Sequence, residues 1–156
     1  MKQKAFVITI FLLIAIMILS SCSSDDSQAD PKKTVISMFG AMEKDDKAKL
    51  AYLLDLPELM NNIKDDYALQ TNEPRVFYSP EEILDDLTGE GQTKLKWFSL
   101  QRIINDANIN GDEAAVEVTF VDKERSIGYL TKFGLHKKND RWLIYSFKTR
   151  PTQNRL

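Results

Sequence analysis

Near Gly91 the apolar pattern of this chain changes its period from 3.6 to 2, which restricts the fold more than any other feature. Upstream, Val35, Met38, Phe39 and Met42 recur at helical spacing, with Asp30 placed to cap and Pro31 suited to the first helical position. Asp45 or Asp46 starts a second short helix carrying Leu50, Leu53 and Leu54, expected to stop near Leu56 because Pro57 follows. Residues 57–70 read as a further helix with Leu59, Ile63 and Tyr67 inward, and the NEPRVFY segment reads as loop or short extended chain. Ser79-Pro80-Glu81-Glu82 is a capping box, so a helix is expected over 80–88 with Gly89 just past its end.

Downstream, Ala114, Val116, Val118 and Phe120 face one way, and Ala115, Glu117, Thr119 and Val121 the other. Lys94 to Ile109 is rich in aromatic and β-branched residues and reads as strand, although WFSLQRII alone also fits a helix. DKERS turns the chain into Ile127 to Lys137, KND turns it again into Arg141 to Thr149, and Pro151 ends that strand. Helices followed by a four-stranded antiparallel meander define an α+β class.

One segment of the strand half imitates a metal site. DANINGDEAAVE, residues 106 to 117, fits the calcium-loop pattern, with Asp106, Asn108, Asn110, Asp112 and Glu117 in ligand positions and Gly111 at the turn. That loop needs a helix on each side, yet AVEVTFV alternates as a strand, and Asn-Gly between apolar runs is a strong hairpin signal. A tight hairpin and a twelve-residue coordinating wrap are incompatible, so the segment is read as a turn. A calcium-stabilised surface domain stays as the third functional alternative.

The N-terminus addresses location. Lys2 and Lys4 precede an apolar run from Ala5 to Leu19, shorter than the roughly 20 residues of a membrane span. Small residues follow, the pattern of a secretory signal. Leu19-Ser20-Ser21-Cys22 resembles the lipobox of bacterial lipoproteins, in which the cysteine is lipidated and becomes the first mature residue. Cys22 is the single cysteine, so its modification leaves no thiol for a disulfide. The resemblance implies a signal peptide over 1–21, a lipidated cysteine and flexible tether over 22–30, a domain over 31–150 and a tail over 151–156. Two acyl chains, palmitate among them, would anchor the protein to a membrane, facing away from the cytoplasm. Cys-Ser-Ser-Asp-Asp also resembles the acidic export signal of some surface lipoproteins, although an ordinary solvated linker accounts for it.

Without Lys2 and Lys4 the chain keeps 19 basic and 23 acidic side chains, net −4, which argues against nucleic acid as a partner. Residues 22–90 carry 7 basic and 16 acidic side chains, net −9, whereas residues 91–156 carry 12 basic and 7 acidic, net +5. Each half can simply solvate its own outer face. The alternative is a basic sheet face that meets a protein partner, a second copy or anionic headgroups.

PKKTVISMFGAMEKDDKAKLAYLL, NINGDEAAVEV and KKNDRWLIYSF together resemble the nuclear transport factor 2-like fold, also described as a cystatin-like cone. Ketosteroid isomerases and many small bacterial lipoproteins share it. The likeness spans most of residues 31 to 149 and implies helices covering one side of a curved sheet whose mouth can hold a small apolar ligand.

Chemistry is sparsely indicated. The single histidine, His136, shares a strand face with Lys132 and Gly134, opposite Phe133 and Leu135, and is expected to be exposed. No nucleophile-elbow serine and no zinc-ligand spacing occurs, and GEGQTK lacks a phosphate-loop ending. An isomerase-like reaction needs a carboxylate inside the cone and a tyrosine such as Tyr52, Tyr129 or Tyr145, yet Asp106, Asp112, Asp122 and Asp140 all fall at expected turns. Trp97, Phe133, Trp142 and Tyr145 could line a pocket but read more simply as core. The sequence therefore points to a lipid-anchored envelope protein with a non-catalytic binding or interaction domain, needing no cofactor or metal, with Cys22 as its functional residue. A small-molecule-binding or weakly enzymatic cone is the alternative.

Overall fold

The computed structural model describes residues 26–63 and 76–151. Among them, five helices precede a four-stranded antiparallel sheet in the order β1-β2-β3-β4. The helices are α1 (Pro31–Glu43), α2 (Lys47–Leu53), α3 (Leu56–Asn62), α4 (Pro80–Asp86) and α5 (Gln92–Phe98). The strands are β1 (Gln101–Asn110), β2 (Glu113–Asp122), β3 (Ile127–Lys138) and β4 (Arg141–Pro151).

Local chemistry starts most helices where the sequence indicates. Asp30 accepts the Lys33 N–H at 3.0 Å, Asp46 that of Lys49 at 2.8 Å and Ser79 that of Glu82 at 3.3 Å. Around Pro57 the expected break between two helices is present, with its bounds shifted toward the N-terminus. Helix α2 stops at Leu53 rather than near Leu56, and Pro57 sits in the first turn of α3, where its missing N–H leaves no bond unmade. Asp55 caps that helix, and Leu59 and Ile63 are buried beneath it. The rest of the expected helix, Tyr67 included, lies outside the described residues. Lys94 to Ile109 also divides: Gln92–Phe98 is helix α5 and the strand begins only at Gln101. There helical packing of Trp97 against the core overrides local β propensity.

The hairpins sort by their positive φ angles. Asn110 pairs with Glu113, so the β1–β2 loop is Gly111-Asp112, and the positive φ falls on Gly111 alone. That is the requirement of a type II′ turn, one residue later than an Asn-Gly type I′ turn. The type I′ arrangement occurs at Asn139-Asp140, where φ is 51° and 60°. Asp106 does not lie at a turn; it sits within β1 where the register shifts between Ile104 and Ala107. Asp122 accepts the N–H groups of Glu124 and Arg125 at 3.1 Å each and so shapes the β2–β3 turn.

One face of the sheet is closed by the helices. Val116, Val118, Phe120, Phe133, Leu135, Ile144 and Phe147 pack there against Val35, Met38, Phe39, Leu50, Leu53 and Trp97. Ahead of α1, Asp26–Gln28 forms a 3-10 turn. Gln28 is buried, its side-chain amide donating to the Tyr52 carbonyl at 2.9 Å and the Trp142 carbonyl at 3.2 Å. The packed domain thus reaches back beyond residue 31, and the far end of the expected 22–30 tether is docked on it.

Candidate functional site

Two places in this architecture could carry function: the interior of the cone and the opposite face of the sheet. The interior is occupied by the protein itself. Trp97 stacks on Phe120 with ring centroids 5.5 Å apart and meets Phe133 and Phe147 edge-on at 5.6 Å each. Phe39 closes the group, 5.7 Å from Trp97 and 5.9 Å from Phe133. The Arg102 guanidinium lies 4.0 Å from the Phe98 ring centroid and 4.9 Å from that of Phe39, a cationic cover over the aromatic cluster. Trp97 and Phe133 are therefore core, as Tyr129 and Trp142 are. Tyr52 is 41% exposed, with Arg141 over its ring at 4.5 Å.

On the opposite face the structure gathers a set of side chains that come from distant parts of the sequence. His136 does face away from Phe133 and Leu135, but it is not exposed: only 7% of it meets solvent. Two features bury it. A register shift between Gly134 and Leu135 places Tyr145 as an extra residue in β4, and its ring stacks on the imidazole at 4.9 Å. From the other side, the α2–α3 junction runs along the edge of β4, where Leu54 bridges Ile144 and the Asp55 N–H donates to the Ile144 carbonyl at 2.8 Å. This brings the Asp55 carboxylate to His136, whose Nε2 donates to Oδ2 at 2.9 Å, while Nδ1 lies 3.4 Å from Oε2 of Glu58. Lys138 completes the cluster, its ammonium donating to Asp55 Oδ2 at 2.6 Å and standing 3.6 Å from Glu58.

The electrostatics follow from these contacts. Burial pushes the Asp55 carboxyl upward, but the Lys138 ammonium, the Glu58 N–H and His136 outweigh it and hold it below the ordinary carboxylate value. Lys138 is raised in return by its bond to Asp55. Tyr145 is raised by burial and by Glu113, whose carboxylate accepts its hydroxyl at 3.1 Å.

Beside Tyr145 an open groove of about 380 Å³ runs over the same face, lined in part by Glu113, Lys132, Gly134, Tyr145 and Lys148. A neighbouring groove of about 370 Å³ adds Glu117, Leu130 and Arg150. Lys132 and Lys148 stand directly opposite each other in the β3–β4 register.

The other residues singled out by sequence distribute as follows. Cys22 and the signal segment lie outside the described residues; among those described, no helix is long and apolar enough to cross a membrane. The calcium-like segment is a hairpin: residues 106–110 and 113–117 belong to paired strands, and Asp106 is bound to Lys32 at 2.6 Å. Sequence reasoning passed over Asp55 and Glu58. The available signal was local, an aspartate two residues before a proline with a glutamate following, which marks a helix cap rather than a helix end.

Helices laid over one face of an antiparallel meander, with an aromatic interior, define the nuclear transport factor 2-like α+β cone. Similar solved structures include an NTF2-like protein of unknown function from Methylobacillus flagellatus KT, with TM-score 0.53, 14% identity, and coverage of 85% of this chain and 96% of that one. Another is an NTF2-like protein of unknown function from Shewanella baltica OS155, with TM-score 0.50, 11% identity, and coverage of 78% and 90%. At such identities the likeness is one of fold. No protein-family model matches the chain, and no curated protein does.

Proposed function

We propose that this chain is a lipid-anchored protein of the cell envelope whose NTF2-like domain is a non-catalytic binding module working through the outer face of its sheet. The supporting observation is the contrast between a cone interior filled by Phe39, Trp97, Phe120, Phe133 and Phe147 and an outer face that carries grooves and paired lysines. A packed interior leaves the outer face as the surface on which a partner gains contact area. Lys132, Lys148 and Arg150 favour an acidic partner there. Cys22 supplies the anchor, and the segment between it and Gln28 sets the distance from the membrane.

Anchoring and binding are tested separately. Cys22→Ala should abolish incorporation of labelled palmitate and release the processed chain from the membrane fraction. A variant that keeps its membrane fractionation with the signal removed would sink the anchor. For binding, native mass spectrometry of the full chain after exposure to envelope extract should show no retained small molecule in the wild type. A retained apolar compound would instead support the ligand-binding cone.

A further inference from the structure

We propose that Asp55, Glu58 and His136 form a binding site for one divalent transition-metal ion of the zinc class, with Lys138 as the resident cation that the metal displaces. One oxygen from each carboxylate and one imidazole nitrogen lie within 4.8 Å of one another. The Asp55–His136 separation of 2.9 Å already suits two ligands of one ion, since bonds of about 2.0–2.2 Å place neighbouring ligand atoms about 3 Å apart. The ion takes the place of the bridging Nε2 proton, which is released to solvent. Glu58 is 42% exposed at its side chain, so it has room to rotate the remaining distance.

The donors are oriented by contacts that an ion can keep, and bridged to one another by a proton and an ammonium that it can replace. Asp55 uses Oδ1 to cap α3, accepting from the Glu58 N–H, and turns Oδ2 toward His136 and Lys138. The imidazole is fixed by the Tyr145 ring, which Glu113 holds in turn. Two buried donors and one half-exposed donor leave the solvent side open, an arrangement of three protein ligands with room for water. A set of one imidazole nitrogen and two carboxylates favours zinc, manganese or nickel over calcium or magnesium, which take oxygen ligands. Lys138 is half-exposed at the end of β3 and can swing into solvent when a doubly charged ion takes its place. This inference stands independently of the lipid anchor and of any partner on the grooves.

His136 is the single histidine of the chain, so its ring resonances report this site alone. The experiment is a titration of the untagged, detergent-solubilised full chain with Zn²⁺, followed by calorimetry and by nuclear magnetic resonance of the imidazole. One Zn²⁺ per chain should bind and shift the ring signals, with Ca²⁺ and Mg²⁺ failing to compete at about a hundredfold excess. His136→Gln should weaken binding by at least about tenfold, and Lys138→Met should strengthen it by removing the competing charge. Should His136→Gln fail to fold, Lys138→Met decides. Ring signals unmoved by excess Zn²⁺, or an affinity that Lys138→Met leaves unchanged, would overturn the site.

Discussion

The two faces of this sheet are built on opposite rules. The inner face meets the helices through Val116, Val118, Phe120, Phe133, Leu135 and Phe147, all fully or nearly fully buried. The outer face alternates with it, except at the bulge that adds Tyr145, and carries Glu113, Glu117, Lys132, His136, Tyr145 and Lys148. The first is closed by shape, the second is organised by charge and remains partly open. A side chain inside is fixed by packing that any apolar group of the right volume can supply. A side chain outside is fixed by particular partners, so its replacement tests chemistry rather than volume.

The comparison breaks most visibly at Trp97. It is fully buried and touches four phenylalanine rings, so Trp97→Ala should cost about 3–5 kcal/mol in the thermal or urea unfolding of the chain. Its indole nitrogen has no hydrogen-bond partner among the described residues, so Trp97→Phe loses volume but no bond and should cost clearly less. Equal losses for the two variants would show the interior to be held by something other than packing.

The inner face was largely legible before the structure, and the outer face was not. Alternation assigns Phe133 and His136 to opposite faces, and caps at Asp30, Asp46 and Ser79 place the helices, because both signals are local. What alternation cannot give is what lies over a face. His136 is buried by Asp55, 81 positions away in sequence, and by a bulge that turns Tyr145 onto it. Around Pro57 the break between two helices was legible but not its bounds: α2 already stops at Leu53, and Leu54 docks on Ile144 instead of continuing the helix.

Asp55 ranks next in expected effect. Asp55→Ala removes a helix cap and strips buried His136 of its acceptor, for a loss of about 2–3 kcal/mol. Asp55→Asn keeps the capping oxygen and should lose less. The pair also differ from wild type in acid. Asp55 is held below its ordinary value of 3.8, so its contribution is fully present above that pH and is lost as pH falls through the lowered folded value. Below about pH 4 the stability of Asp55→Asn should therefore fall less steeply than that of the wild type, measured by unfolding at a series of pH values. Parallel acid limbs would remove Asp55 from the charge organisation of the outer face.

Gly134 tests whether that face has any volume rule of its own. A Cβ there would come within 2.4 Å of the Ser146 Oγ and 3.2 Å of the Tyr145 ring. Gly134→Ala should cost about 1–2 kcal/mol, since Ser146 must rotate and Tyr145 must shift on the imidazole. The signature is a changed His136 ring environment accompanying the loss. Destabilisation without movement of the His136 resonances would place the strain elsewhere.

The smallest effect on stability is expected at Lys148, and it separates the two faces most sharply. Lys132 and Lys148 are directly opposed across β3 and β4, and like charges in that relation repel. Lys148→Glu replaces the repulsion with an attraction across the strands, so the unfolding midpoint should hold or rise, by about 0.5 kcal/mol or less. If the outer face owed its composition to folding, a lysine at this position would be a poor choice, because the glutamate serves the sheet better. Binding to an acidic partner should move the other way, weakening as the groove loses one of its cations. A Lys148→Glu chain that unfolds markedly earlier would make Lys148 structural and erase the distinction between the faces. One that folds equally well and binds equally well would leave the distinction standing but shift the contact surface away from these grooves.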